Sequence, residues 1–165
     1  MIRHVARHLI AAHHRGTTIE AKIMLVHATL EYLSWVTYVV PGKRTATQHG
    51  KDKNRTPAAT WHLKELLRPA KIKVRIPTNL PGLRKFARAE GLPSGPAAVS
   101  RLRNKLIHPK DAGEPYRIEG LVTEAWQLAI EYGELLLLHR VGYQGKYFPR
   151  SDIAMPRSVS VPWAA

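Results

Sequence analysis

Residues 18–40 constrain the fold more than any other part of this sequence. Placed on a helix, they carry apolar side chains on nearly every side. A helix of that kind lies at the centre of a bundle or crosses a membrane. Its most apolar part, 23–40, holds His27 and Glu31 in the middle, polar groups that a lipid-facing span excludes. The stretch therefore reads as a buried core helix, and no membrane partner is expected. Thr17 and Glu20 have capping-box spacing at its start, and Pro41-Gly42 stops it.

The other periodicities fit around this one. Ile2, Val5, Leu9 and Ala12 share one stripe of a helix over 2–14, ended by Gly16. Residues 43–55 (KRTATQHGKDKNR) are polar, basic and turn-rich, and read as a loop. Thr56 is placed to cap a short helix with Pro57 in its first turn and Leu63, Leu66 and Leu67 inward. Trp35, Trp61 and Trp126 read as core anchors. Ile72, Val74 and Ile76 alternate with Lys73 and Arg75, as a short strand or an extended connection. A weak helix over 83–89 ends at Gly91. Ser94-Gly95-Pro96 opens the next helix, with Val99, Leu102 and Leu106 on one stripe, and Pro109 disfavours helical geometry at His108. The last long helix spans 121–140, with Trp126, Ala129, Ile130, Gly133 and Leu137 facing the core. Residues 143–165 read as an extended tail. The expected fold is an all-α bundle of four to five helices: an N-terminal helix (1–16), a helical domain (17–150) and a tail (151–165).

A chain of 165 residues has the size of one domain, and 44% hydrophobic residues supply a core. It has no cysteine, which excludes disulfides and thiolate-ligated zinc and fits a reducing compartment. Arg3, His4, Arg7 and His8 interrupt any apolar run at the N-terminus, so no secretory leader is expected and the chain reads as cytoplasmic. His4 and His8 have the i, i+4 spacing of a metal pair but no acid nearby, so no metal or cofactor is expected. There is no Gly-rich phosphate loop, serine nucleophile elbow or carboxylate pair suited to two-metal catalysis.

Charge is strongly segregated. Residues 43–110 hold 17 Lys and Arg against Asp52, Glu65 and Glu90, a local excess equal to the net +14 of the whole chain. Residues 119–134 hold four Glu and no Lys or Arg. A field polarised in this way attracts a polyanion, and RNA is the partner inferred.

The chemistry concentrates in Arg101-Leu-Arg-Asn-Lys-Leu-Ile-His108-Pro109. RNA is cleaved without a metal when one group takes the 2′-hydroxyl proton and another protonates the leaving 5′-oxygen, while a fixed cation stabilises the charge at phosphorus. Histidine suits the proton transfers. Arginine matches phosphate oxygens with a planar fork. Asparagine can orient either. One histidine does not easily serve as both base and acid, so a two-fold homodimer with a composite site follows. Helical geometry puts Arg101, Asn104 and His108 on one stripe and Arg103 nearer the apolar one.

Arg103, Asn104 and His108 together resemble the R-x4-6-H motif of HEPN domains. The segments HATLEYLSW, RLRNKLIHP and EAWQLAIEYGELLLLHRVGYQGKYFPR are similar to the ApeA-like HEPN group over about residues 17–150. The resemblance implies a dimeric, metal-independent endoribonuclease of a toxin or anti-phage defence type, with an antitoxin or defence-system partner. It points to Arg103 rather than Arg101 as the key arginine. In that group the domain often ends a longer chain. One HEPN subgroup has a modified Tyr two positions after the His; Lys110 stands here, so that pairing is not implied.

The expected site is thus Arg103, Asn104 and His108, with Glu31 as an acid orienting Arg103 or another basic residue of that helix, or facing solvent at a groove. His27 stands one turn away as a local partner for Glu31. Phosphate contacts are assigned to Arg101, Lys105 and Lys110 and to Lys43, Arg44, Lys51, Lys53 and Arg55. Tyr143, Tyr147 and Phe148 either stack on bases or pack on the bundle. The alternative to cleavage is a non-catalytic adaptor that binds nucleic acid or a partner protein through the same face.

Overall fold

The computed structural model describes residues 2–51, 53, 56–152 and 157–164. It is an all-α bundle. The helices are α1 (Ile2–His13), α2 (Ile19–Tyr38), α3 (Ala46–Gly50), α4 (Ala58–Leu67), α5 (Pro81–Ala89), α6 (Gly95–Ile107) and α7 (Leu121–Arg140). A 3₁₀ turn spans Glu114–Tyr116. Helix α2 packs along α1 and α7, and α7 in turn meets α5 and α6. Both long central helices are therefore covered by others, which is why neither sequence has one polar face.

Local chemistry sets the boundaries. In α1, Val5, Leu9 and Ala12 are buried on one stripe. The cap of α2 lies one residue later than the spacing suggested. Thr18 accepts a hydrogen bond from Ala21 N at 3.3 Å, while Thr17 donates to the Ala11 carbonyl and closes the end of α1. Glu20 accepts from the Tyr116 hydroxyl. That bond holds its carboxyl below the usual range and fastens the 3₁₀ turn to the start of α2. Helix α2 ends at Tyr38, short of Val40.

The loop expected over 43–55 contains a one-turn helix. Thr45 accepts from Gln48 N at 3.1 Å and the Gln48 side chain accepts from Thr45 N at 2.9 Å, a reciprocal capping box. Helix α4 starts from Pro57 rather than from a Thr56 cap; Thr56 pairs its backbone with Lys53 instead. Residues 72–76 are an extended connection without a ladder, with Ile72 and Ile76 buried and Val74 exposed. Ser94 caps α6 by accepting from Ala97 N.

The tail is not merely extended. It folds back as a two-stranded antiparallel ribbon, β1 (Lys146–Tyr147) on β2 (Val159–Ser160). Val161 is buried beyond it, and Trp163 donates to the Tyr143 carbonyl at 2.7 Å. Tyr147 packs on the bundle and the Tyr143 hydroxyl donates to the Lys146 carbonyl. Trp35 corrects the sequence expectation: it is 41% exposed, on an outer face of α2.

Helices α5 and α7 meet at Gly82. A Cβ there would lie 2.5 Å from the Glu119 carbonyl oxygen, a backbone atom that cannot swing away. Beside it, the Glu124 carboxylate accepts from Leu83 N at 2.7 Å, an anion at the N-terminus of α5. Alanine at an unstrained helical glycine would stabilise by at most ~1 kcal/mol. Overpacking against fixed backbone typically costs ~1–3 kcal/mol, and this term wins at Gly82. Thermal melting of Gly82→Ala should show a midpoint several degrees lower. An unchanged midpoint would mean that the two helices separate easily.

Candidate nucleic-acid interface at the end of helix α6

The end of α6 is held from two sides. Leu102 is fully buried in the core and Leu106 packs against it. The backbone N–H of His108 donates to the Asn104 carbonyl at 2.9 Å, so His108 closes the last turn in a non-helical conformation. Asn104, His108 and Lys110 are exposed. Among the described residues no side chain bonds the His108 imidazole, which is free to meet a ligand.

Arg103 lies deeper, at the seam of α6 and α2. Its Nη1 donates to Asn104 Oδ1 at 3.1 Å, and its Nη2 lies 3.8 Å from Glu31 Oε1. Its Nε is buried with no hydrogen-bond partner among the described residues. The pairing expected between Glu31 and the motif helix is therefore with Arg103, across a half-exposed carboxylate. Arg101 points elsewhere and donates from Nε to Glu90 at 2.9 Å. The structure thus brings Arg103, Asn104 and Glu31 together, with His108 one turn beyond Asn104.

Beneath Arg103 sits His27, 3% exposed, its Nε2 without a partner among the described residues. No hydrogen bond joins it to Glu31, so it is not the local partner of that acid. Burial, and then the positive charge of Arg103, push its pKa down to about 4. His49 and His62 stack at 3.7 Å nearby, and His62 Nε2 meets the His49 carbonyl at 2.5 Å. Burial lowers both of their pKa values as well. His27, Glu31, His49 and His62 line one cavity of about 30 Å³, large enough for a water molecule. No group of three or more His, Asp or Glu is placed to hold a metal ion among the described residues.

The basic residues assigned to phosphate behave differently from one another. Lys105 bridges Glu114 at 2.6 Å and Glu90 at 3.1 Å; the hydrogen bond it donates to Glu114 raises its pKa. Arg101, and then Lys105, hold the Glu90 carboxyl below its usual range. Arg44 is locked between the rings of Tyr38 and Trp61, at 4.1 and 4.0 Å, with Glu65 at 3.6 Å. Lys53 lies over Trp61 at 4.7 Å. Lys43, Lys51 and Lys110 are exposed. Arg55 lies outside the described residues. Much of the charge read as available for phosphate is therefore already engaged.

Other cations are less engaged, and the sequence did not single them out. Arg75, Arg84 and Arg88 are exposed, share one open cleft of about 350 Å³, and have no carboxylate within salt-bridge distance among the described residues. Arg84 and Arg88 stand one turn apart on α5, a spacing that was legible; Arg75 joins them only through the fold. Two larger cavities, about 570 and 540 Å³, lie under the tail and away from Arg103.

Fold and site together define an all-α domain that presents an arginine–asparagine pair and a free histidine at one helix end. The chain belongs to the YopA C-terminal domain family, whose model matches residues 1–160. It is 28% identical over 156 residues to the SPbeta prophage-derived uncharacterized protein YopA of Bacillus subtilis (strain 168). That alignment covers 91% of this chain and 33% of the relative, so the chain spans about a third of the relative's length. No solved structure matches the chain. No helix among the described residues is long and apolar enough to cross a membrane.

Proposed function

We propose that this domain is a HEPN-like, metal-independent endoribonuclease that cleaves single-stranded RNA at a site built by two copies of the chain. The observation that carries this reading is the end of α6. Arg103 is fixed by Asn104 and Glu31, while an unengaged His108 stands one turn away in solvent. Arg103 stabilises charge at phosphorus, Asn104 holds its guanidinium, and His108 moves protons. The prophage origin of the relative supports a toxin or phage-conflict role, with an antitoxin or defence partner.

The dimer follows from exposed apolar groups that flank this site. Trp35 lies one turn beyond Glu31 and Ile107 one turn beyond Arg103, and they are 41% and 38% exposed. An apolar rim around a polar centre suits a self-complementary seam. Ile107→Glu should give monomers in sedimentation and lose activity without a lower melting temperature. A dimer that persists would move the seam elsewhere.

The test of function is incubation of purified protein with labelled single-stranded RNA in EDTA. The expected products end in 2′,3′-cyclic phosphate, and a 2′-deoxy substrate stays intact because the nucleophile is missing. Binding of RNA without cleavage, at any protein concentration, would favour the adaptor instead.

A further inference from the structure

Beside Asn104 the surface opens into a cavity of about 310 Å³ between the start of α4 and the middle of α6. This volume is at the low end for small-ligand sites, which run ~300–1,000 Å³. It accommodates one base with its sugar and no more. Leu92, Pro93 and Pro57 give it apolar walls, and Asn104, Ser100 and Thr60 supply polar groups. Ser100 is 4% exposed, and its hydroxyl has no hydrogen-bond partner among the described residues. A buried hydroxyl left unsatisfied costs free energy that a bound ligand would recover. Asn104 joins this cavity to Arg103 through the hydrogen bond already described.

Leu92 and Pro93 also form one wall of the cleft that holds Arg75, Arg84 and Arg88. The two depressions thus lie on either side of one ridge. One is mostly apolar with a few polar groups, Lys64 and the Glu90-paired Arg101 at its edge; the other carries three cations without carboxylate partners among the described residues. That pairing matches a nucleic acid strand, which needs a pocket for an unstacked base and fixed charge for the phosphates that follow.

We propose that single-stranded RNA crosses the Leu92-Pro93 ridge with one unstacked base in the Ser100 cavity and its neighbouring phosphates on Arg75, Arg84 and Arg88. This inference rests on the ribonuclease reading for the identity of the polymer, but it makes a binding claim that stands apart from cleavage. The base loses stacking in solution and gains walls of leucine and proline. Its polar edge meets the Ser100 hydroxyl and the Asn104 amide. The phosphates displace counterions at the arginines, so the two halves of the site respond differently to salt.

The experiment measures binding of a short 2′-O-methyl RNA, which cannot be cut, and of an abasic oligomer of the same length. Ser100→Ala removes an unpaired hydroxyl in a helix, so it should melt no lower than the parent protein. It should nevertheless bind the base-bearing strand about 5- to 10-fold more weakly and the abasic strand equally well. Ala97→Leu, which fills the cavity, should do the same more strongly. Arg84→Ala/Arg88→Ala should weaken both strands alike and reduce the salt slope by up to about 1.4, at ~0.7 per phosphate. If the parent protein binds base-bearing and abasic strands equally, the pocket assignment is wrong even if RNA is cut. If it distinguishes them but cuts nothing in EDTA, the pocket stands and the ribonuclease reading falls. If no strand binds at low salt, both fail.

Discussion

Replacing His108 with alanine should slow RNA cleavage by ~10²–10⁴-fold, the usual contribution of a positioned acid–base group. The loss should fall on kcat, because His108 is exposed, makes no contact that holds the fold together, and is one of many groups facing the strand. Arg103 should fail differently. Its guanidinium has two partners, Asn104 at 3.1 Å and Glu31 at 3.8 Å, and a buried Nε with none among the described residues. Lysine keeps the charge but has no planar fork to satisfy that geometry. Arg103→Lys should therefore lose ~10²–10³-fold, the effect of removing one transition-state donor, while RNA still binds through Arg75, Arg84 and Arg88. Mixing His108→Ala with Arg103→Ala protein separates the composite site from a self-contained one. If each site draws its histidine and arginine from different chains, the mixture regains partial activity. A His108→Ala protein that cuts as fast as the parent would remove the motif from the mechanism and favour the adaptor.

Acid should begin to destabilise the domain below pH 6.5, before most of its carboxylates start to protonate. His27 titrates near 6.5 when the chain is unfolded, and at about 4 in the fold, where burial and then Arg103 oppose its charge. Between those values the unfolded state binds the extra proton. Stability is therefore full above pH 6.5, falls as pH drops towards 4, and loses nothing further from this group below 4. A displacement of this size corresponds to about 3 kcal/mol, a large share of a typical domain's stability. His49 and His62 are shifted in the same direction by burial and add to the same trend. Urea unfolding measured from pH 7.5 to 4 should show the slope, and His27→Gln should flatten it. Arg103→Leu should also soften it, since it removes the second cause of the shift. Identical slopes in the parent and His27→Gln proteins would overturn the assignment.

These two predictions draw on different depths of sequence information. The limits of α6 were legible because they are marked by backbone chemistry: Ser94 and Pro96 open it and Pro109 stops it. Helical spacing alone put Arg101 beside Asn104 and His108; it was the HEPN resemblance that pointed to Arg103, whose guanidinium reaches Asn104 in the fold. Helix α3 was missed although Thr45 and Gln48 have capping-box spacing, since a one-turn helix leaves no periodicity to detect. Trp35 was misjudged because a helix apolar on all sides does not reveal which face its neighbours leave open. The bridges from Lys105 to Glu90 and Glu114, the clamp on Arg44, and the Ser100 cavity join residues distant in sequence. No local pattern encodes them, so formal charge overstated what is available to bind phosphate.

The packing of α2 against α7 also has a consequence in time. Helix α2 is made about 100 residues ahead of its partner α7. At ~5–20 residues per second this interval is on the order of 5–20 s, during which α1, and later α4 and α6, cover the most apolar segment of the chain only in part. The nascent chain is therefore most adhesive before its last helix leaves the ribosome, and a product truncated ahead of α7 keeps that surface bare for its whole lifetime.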